Sequence, residues 1–420
     1  MRVLHLSWEY PPLVYGGLGR HVHALAEAQA EAGHDVVVVT QHPGGEGVAT
    51  DEVVRGVRVV RAPHDPPVVG MSDFLAWVVS LEHALTRRAL ALGEQWRPDV
   101  VHAHDWVVAH AAATLRQDWR VAVVATVHAT EAGRHQGWLP SDLSRSIHTT
   151  EWWLTFEARR VITCSPAMRE EVVRLFDLPP GKADLVPNGV DAARWRAPRR
   201  EVARARATHA GDGPLLVTAG RVEWEKGGHV LLDAVPALRR RHRGLRVLVV
   251  GRGSQEEALR EQARRLRLGR AVRFTGWLPA DELAAVLGAA DAVVVPSVYE
   301  PFGLVALEAM AAGTPLAAAR TGGLADVVED GVTGLLFEPL DARALATAVS
   351  ALLDDDVRAR RMARTARARV LAGNAWPDLA QRTVQVYRRA VVEERDLLGA
   401  PAAPALRMVV RDGNLLRDAT

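Results

Sequence analysis

Short runs of valine and leucine, three to seven residues long, recur through this chain, and stretches of helical character separate them. A strand buried on both faces needs a continuous apolar run rather than an alternating one. A parallel sheet flanked by helices on both sides is the arrangement that buries both faces. The runs are Val3–Leu6, Val36–Thr40, Val57–Arg61, Val100–His102, Val121–Val127 and Val161–Cys164. Helical stretches such as Gly19–Ala32, Ser72–Leu92 and Pro166–Phe176 lie between them. Strand–helix alternation of this kind predicts an α/β fold with a doubly wound sheet.

The alternation stops near Trp195. The segment A-P-R-R-E-V-A-R-A-R-A-T-H-A-G-D-G-P is polar and basic, and its glycine-rich end reads as a linker. Beyond it the alternation restarts with runs at Leu215–Ala219, Arg246–Val250, Val272–Thr275, Ala292–Pro296, Leu316–Ala318 and Gly334–Phe337. The expectation is two Rossmann-like domains in tandem, residues 1–195 and 196–374. After Ala342 the chain reads as helical, with a stop near Gly373 and Pro377, and Leu379–Glu394 forms a further amphipathic helix. The tail 396–420 opens with A-P-A-A-P after a few residues and leaves room for a small hairpin on Asp412-Gly413.

Composition narrows the class. The chain has 420 residues, a formal charge of +2 and 52 basic against 50 acidic residues, a balance that argues against a nucleic-acid binder. Cys164 is the single cysteine, so no disulfide forms within the chain, as suits a reducing compartment. The start M-R-V-L-H-L-S reads as a strand rather than a signal peptide, and no apolar run is long enough to span a membrane. A cytoplasmic protein without stable membrane insertion is expected. Only Lys182 and Lys226 are lysines, so each asks for an explanation.

Ligands of open α/β sheets bind beyond the carboxyl ends of the strands, so the loops there are the place to look. Y-G-G-L-G-R, Tyr15 to Arg20, opens a helix after the first strand; its glycines suit close approach to an anion, and a tight turn would explain them equally. H-A-H-D-W and T-V-H-A-T-E end neighbouring strands and offer Asp105 and His128 to a cleft. No metal site is expected from these histidines: His21 and His23, two apart on a helix, face different ways. Asp354-Asp355-Asp356 reads as a solvated helix junction rather than a magnesium site. A-G-R-V-E-W-E-K-G-G carries Arg221 and Lys226, a fork and a point charge suited to a diphosphate, with Glu223 and Glu225 as their partners if the loop is merely solvated. Glycines in V-V-G-R-G-S either line a nucleotide base or make a tight turn, and those of R-T-G-G-L offer N–H donors to phosphate. Lys182, in P-P-G-K-A-D, reads as a solvated turn residue.

The segment Y-E-P-F-G-L-V-A-L-E places two carboxylates at the ends of an apolar stretch. With Pro301 in a first helical turn, Glu300 stands at the helix mouth and Glu308 about two turns in. Eight residues of helix rise about 12 Å, so the two acids reach one elongated ligand at two places. A nucleotide sugar has vicinal hydroxyls at both ends and a diphosphate between. Otherwise Glu300 merely accompanies the helix start and Glu308 lies on a solvated face.

Taken together, E-P-F-G-L-V-A-L-E, G-R-V-E-W-E-K-G and the G-G-L loop resemble the retaining glycosyltransferases of family 4, over about residues 1–395. S-W-E-Y-P-P, H-D-W and T-G-G-L are similar to the bacterial glycogen synthase branch. The resemblance implies the GT-B fold: two Rossmann-like domains facing across a cleft, with a C-terminal helix, about 377–395, crossing back onto the first. It implies α-glucosyl transfer with retention, from UDP- or ADP-glucose to the non-reducing end of an α-1,4-glucan of glycogen or polymethylated type. It implies no cofactor and no metal beyond the nucleotide-sugar co-substrate. By the same resemblance Gly17 touches the diphosphate, Arg221 and Lys226 hold the phosphates, and Glu300 binds the sugar with the N–H groups of Phe302, Gly303 and Leu304. Glu308 would bind the ribose, His128 the sugar, Asp105 would lie near the reacting centre, and Thr321 and Gly322 by the phosphates. Two positions depart from the branch: Val14 stands where K-x-G-G-L has lysine, and Ala129 follows His128 in place of asparagine, which leaves UDP and ADP both open. The alternatives are a family 4 mannosyl- or other hexosyltransferase with a lipid or small-molecule acceptor, and a non-catalytic glycan-binding module.

Overall fold

The computed structural model describes residues 1–44, 47–64, 70–399, 408–411 and 414–417. The N-terminal half contains β1 (Arg2–Leu6), β2 (Asp35–Gln41), β3 (Asp51–Val54), β4 (Val57–Ala62), β5 (Val100–His104), β6 (Ala122–Val127), β7 (Arg160–Thr163) and β8 (Ala183–Leu185). They form one eight-stranded sheet in the order β3-β4-β2-β1-β5-β6-β7-β8. The second half contains β9 (Leu215–Ala219), β10 (Arg246–Val250), β11 (Val272–Gly276), β12 (Ala292–Val295), β13 (Leu316–Ala319) and β14 (Leu335–Phe337), ordered β11-β10-β9-β12-β13-β14. Every pairing in these two sheets is parallel except β3 with β4. In each sheet the order reverses beside the first strand of the half, β1 or β9. Crevices for ligands open at such a switch point.

The apolar runs become central strands for the reason anticipated: Val36–Val39 of β2 and Val123–Ala125 of β6 are wholly or almost wholly buried. The helix Pro166–Phe176 takes proline at its start, where no N–H is needed; a Ser165 side chain accepts from the Met168 N–H and the Asp326 carboxylate of the other half accepts from the Ala167 N–H, which satisfies its first turn. Two strands escape the periodicity. β3 is an exposed antiparallel edge, and β8 is three partly buried residues. The basic segment after Trp195 is mostly a helix, Arg199–His209, and only 210–214 connects to β9. That helix buries a single side chain, Ala205, beside the helix Ala280–Ala289, so its sequence shows no apolar stripe.

The last long helix, Trp376–Gly399, packs on the helix Gly17–Glu31 and on β6 of the N-terminal sheet. Tyr387, fully buried, anchors it there by hydrogen bonds with Gln29 (3.1 Å) and His102 (2.6 Å). Asp354–Asp356 joins two helices: Asp355 caps Asp356–Gly373 by accepting from Arg358 N–H, and Asp354 and Asp356 pair with Arg241 and Arg360. In the tail, β15 (Met408–Arg411) and β16 (Asn414–Arg417) pair antiparallel, and the Asp412-Gly413 turn lies outside the described residues. Among the described residues no helix is long and apolar enough to cross a membrane.

Candidate active site

The two sheets face each other, and their strand-end loops meet. Gly17 opens the helix Gly17–Glu31, and a Cβ there would lie 2.7 Å from Leu304 Cδ1, at the first residue of the helix Leu304–Ala312. Two helix N-termini therefore abut across the cleft. Each carries roughly half a positive charge in unsatisfied N–H groups, so their approach repels unless an anion lies between them. Among the described residues the N–H groups of Phe302, Gly303 and Leu304 donate to no protein acceptor. Gly303 caps the helix with φ 104°, a conformation that favours glycine.

This corrects the helix placement expected from sequence. Pro301 is not in a first turn; Pro301–Gly303 is a bend, and the helix begins at Leu304. Glu308 is thus one turn in, and Glu300 lies in the preceding loop. There Glu300 Oε2 accepts from Lys226 Nζ (2.9 Å) and from Ser297 Oγ (3.0 Å). The bend is clamped from two sides. Gly323 N–H donates to the Glu300 carbonyl (2.8 Å), and Ser165 Oγ from the other domain donates to the Pro301 carbonyl (2.6 Å). Thr321 Oγ donates to the Val298 carbonyl (3.0 Å), so Thr321 and Gly322 pack on the backbone that carries Glu300.

Glu308 is not on a solvated face: it is 4 % exposed. Its Oε1 is paired with Arg20 of the opposite domain, and its Oε2 has no hydrogen-bond partner among the described residues. Burial raises the Glu308 carboxyl while Arg20 opposes the rise. The apolar flank of Y-G-G-L-G-R is held by Glu9, whose carboxylate accepts from Tyr15 N–H (2.8 Å) and Gly16 N–H (3.0 Å). Arg20 and Glu9 escaped the sequence reading, although both lie within or beside motifs it marked.

On the loop after β9, Arg221 pairs with Glu225 (2.9 Å), whereas Glu223 meets no cation among the described residues and accepts from Ser254 N–H (3.0 Å). The glycines of V-V-G-R-G-S pack this loop: a Cβ on Gly251 would lie 1.8 Å from the Gly220 carbonyl oxygen. Lys182, expected in solvent, instead donates to the Phe156 carbonyl (3.0 Å) at the end of the helix Asp142–Glu157, where burial lowers it to about 8.

Across the cleft, Asp105 has φ 61° and ψ 175°, a region that non-glycine residues occupy only at a cost of about 1–3 kcal/mol. It accepts from the His128 N–H (2.7 Å), and burial raises its carboxyl to about 7. Tyr299, next to Glu300, accepts from Thr130 N–H (3.1 Å) and donates to Glu171 (2.8 Å), which ties the Glu300 loop to the His128 loop. Arg134 lies near both loops, 3.9 Å from Glu225. His128 belongs to a buried histidine cluster. Contrary to expectation His21 joins it, its ring 4.8 Å from that of His128. One ring nitrogen each from His21, His104 and His128 lie within 4.8 Å of one another, close enough for a metal. A direct hydrogen bond at 3.3 Å already joins His104 Nδ1 and His128 Nε2.

Residues 15–194 match the family model Glycosyltransferase Family 4, and residues 199–369 match Glycosyl transferases group 1. A glycogen synthase of Mycobacterium tuberculosis is 48 % identical over 407 residues, covering 94 % of this chain and 96 % of that protein. A D-inositol 3-phosphate glycosyltransferase of Nocardia farcinica is 37 % identical, covering 90 % and 86 %. Among solved structures, a sucrose-phosphate synthase of Thermosynechococcus elongatus superposes with a TM-score of 0.81 at 27 % identity, covering 93 % of this chain and all of that one.

Proposed function

Because this chain belongs to the group 1 and family 4 glycosyltransferases and has their GT-B fold, we propose that it moves an α-glucosyl group from UDP- or ADP-glucose to the non-reducing end of an α-1,4-glucan, with retention. The observation that carries the reading is the contact between two helix N-termini, at Gly17 and Leu304, beside Lys226. A diphosphate is the ligand whose charge such a place compensates. The 48 % identity to a glycogen synthase over nearly the whole chain supports glucose as the transferred sugar and a glucan as its acceptor.

In this reading the N–H groups of Phe302, Gly303 and Leu304 and the cations Arg221 and Lys226 meet the charge that grows on the leaving diphosphate. Fixed donors aimed at developing charge need no reorganisation when the bond breaks. Glu300, steadied by Lys226 and Ser297, accepts from sugar hydroxyls, and Glu308 accepts from the ribose with its unpaired Oε2. His128 contacts the sugar. Asp105, spent on the His128 backbone, shapes that loop rather than attacking the sugar. The phosphate of the leaving group takes the acceptor proton on the face it vacates. Protein cations carry the electrostatic load, so no resident metal has a part.

The test is a donor and acceptor panel read by nucleoside diphosphate release. Maltooligosaccharide with one of the two donors should give a longer glucan. Release with inositol phosphate and not with glucan would favour the small-molecule alternative, and no release with either donor across all acceptors would refute the reading.

A further inference from the structure

Five histidines lie together beneath the N-terminal wall of the cleft, and three of them form a hydrogen-bonded line that starts at an amide. Gln29 Nε2 donates to the Tyr387 hydroxyl (3.1 Å), which turns its Oε1 toward His5 Nε2 at 2.8 Å. An amide oxygen only accepts, so His5 carries its proton on Nε2 and its Nδ1 is a lone pair. That lone pair is 3.0 Å from His104 Nε2, which must then donate, leaving His104 Nδ1 to accept. His104 Nδ1 is 3.3 Å from His128 Nε2, so the proton of His128 is on Nε2. Each inference needs neutral rings. Burial supplies them, lowering His5 to about 4, His128 to about 3 and His104 well below the usual range.

We infer that Gln29, His5 and His104 are positioning residues that set His128 as the Nε2–H tautomer, so that its Nδ1 faces the cleft as an acceptor for a substrate hydroxyl. His128 Nδ1 has no protein partner among the described residues, and His128 is only partly buried. A neutral imidazole of free orientation would offer either a donor or an acceptor. The line removes that choice before any ligand arrives. Tyr387 closes the start of the line: its hydroxyl accepts from Gln29 and donates to His102 Nδ1 (2.6 Å). The C-terminal crossing helix therefore helps to fix the amide that sets the tautomer. Turning the Gln29 amide over would reverse every bond and make His128 Nδ1 a donor, so one side chain selects between two self-consistent settings. The hydroxyl partner rests on the nucleotide-sugar reading above; the tautomer itself does not.

The test is the ¹⁵N spectrum of histidine-labelled, ligand-free protein, with His128 assigned by its loss in His128→Gln. The expected spectrum shows His128 protonated on Nε2; a spectrum of the Nδ1–H or charged form overturns the inference. Stoichiometric zinc copurifying with the wild type and lost in His104→Gln would overturn it too, since a metal held between His104 and His128 takes up a His128 lone pair, either Nε2, which the inference protonates, or Nδ1, which it leaves to the substrate. Gln29→Met keeps the volume and removes both amide bonds. The folded variant should show a mixed His128 tautomer and about a tenfold lower kcat, with nucleoside diphosphate affinity unchanged. A folded variant with an unaltered His128 tautomer refutes the role of Gln29. If no donor turns over in the wild type while the tautomer is as stated, the nucleotide-sugar reading fails and the relay stands.

Discussion

Replacing Gly322 by alanine isolates the T-G-G loop as a support for Glu300. Gly322 has φ +45°, and an added Cβ would lie 2.3 Å from the Glu300 carbonyl oxygen. An ordinary contact begins near 3.4 Å, so something must yield by roughly an ångström. The obstacle is backbone, and that carbonyl already accepts from Gly323 N–H at 2.8 Å, so the yielding part is the Glu300 segment itself. Misplacing a reacting centre by about 1 Å costs on the order of a hundredfold in rate. The left-handed backbone adds about 1–2 kcal/mol of instability for any residue with a Cβ. Gly331→Ala is the matched control: φ is +75°, but the nearest atom is the tip of Arg358 at 3.9 Å. Both variants should lose similar stability in urea unfolding from the strained backbone, with a further loss in Gly322→Ala. Only Gly322→Ala should lose about a hundredfold in kcat, measured by nucleoside diphosphate release at saturating donor. If its kcat stays within about threefold of the Gly331→Ala value, the loop does not position Glu300 and the reasoning is wrong.

Lys226→Ala should lower kcat by about a hundredfold to a thousandfold while glucan affinity, read by gel retardation in glycogen, is unchanged; equal loss of both would point to a binding module or a misfolded loop. Glu151 has Oε2 buried with no hydrogen-bond partner among the described residues, His148 Nδ1 lying 3.9 Å away, and burial raises its carboxyl from 4.5 to about 9. The folded state therefore keeps a proton that the unfolded chain releases, so stability from this group falls as pH rises from about 4.5 toward 9. Glu151→Gln mimics the protonated form, and its stability relative to wild type should grow between pH 5 and 8; a difference flat with pH contradicts this. Cys164 is buried, and burial pushes its thiol well above the usual range, so a thiol reagent should label it only with the kinetics of unfolding.

What the sequence discloses depends on how local the cause is. The buried strands were legible because their environment is written into consecutive residues; Leu215–Ala219 and Arg246–Val250 occur with the bounds their valines and leucines suggest. β3 and the helix Arg199–His209 were not, since D-E-V-V lies exposed at an edge and the helix buries one alanine. At the site, residue types and loop positions were readable for Lys226, Glu300 and Glu308. Their partners were not, because partnership joins distant segments. Arg20 and Glu308 are 288 positions apart, and Lys226 and Glu300 are 74 apart. Lys182 shows the same limit: its acceptor is a carbonyl, which no side-chain pattern reveals.

That distance between partners also explains why the cleft reads as one catalytic unit. The Glu300 loop is held by Gly323 from its own sheet and by Ser165 and Thr130 from the other, through Pro301 and Tyr299. Glu308 is held by Arg20 from the other sheet. Arg20 is 43 % exposed, so its loss falls short of the 3–5 kcal/mol typical of breaking a fully buried pair. Yet Glu308 would be left buried with neither oxygen paired across the cleft. Arg20→Ala should then raise the affinity for a proton at Glu308 and weaken donor binding increasingly as the pH falls, because the protonated acid offers one acceptor fewer. Arg20→Ala with a pH-independent donor Kd, or Glu308→Gln binding the donor as wild type does, would show that the carboxylate takes no part in holding the nucleotide.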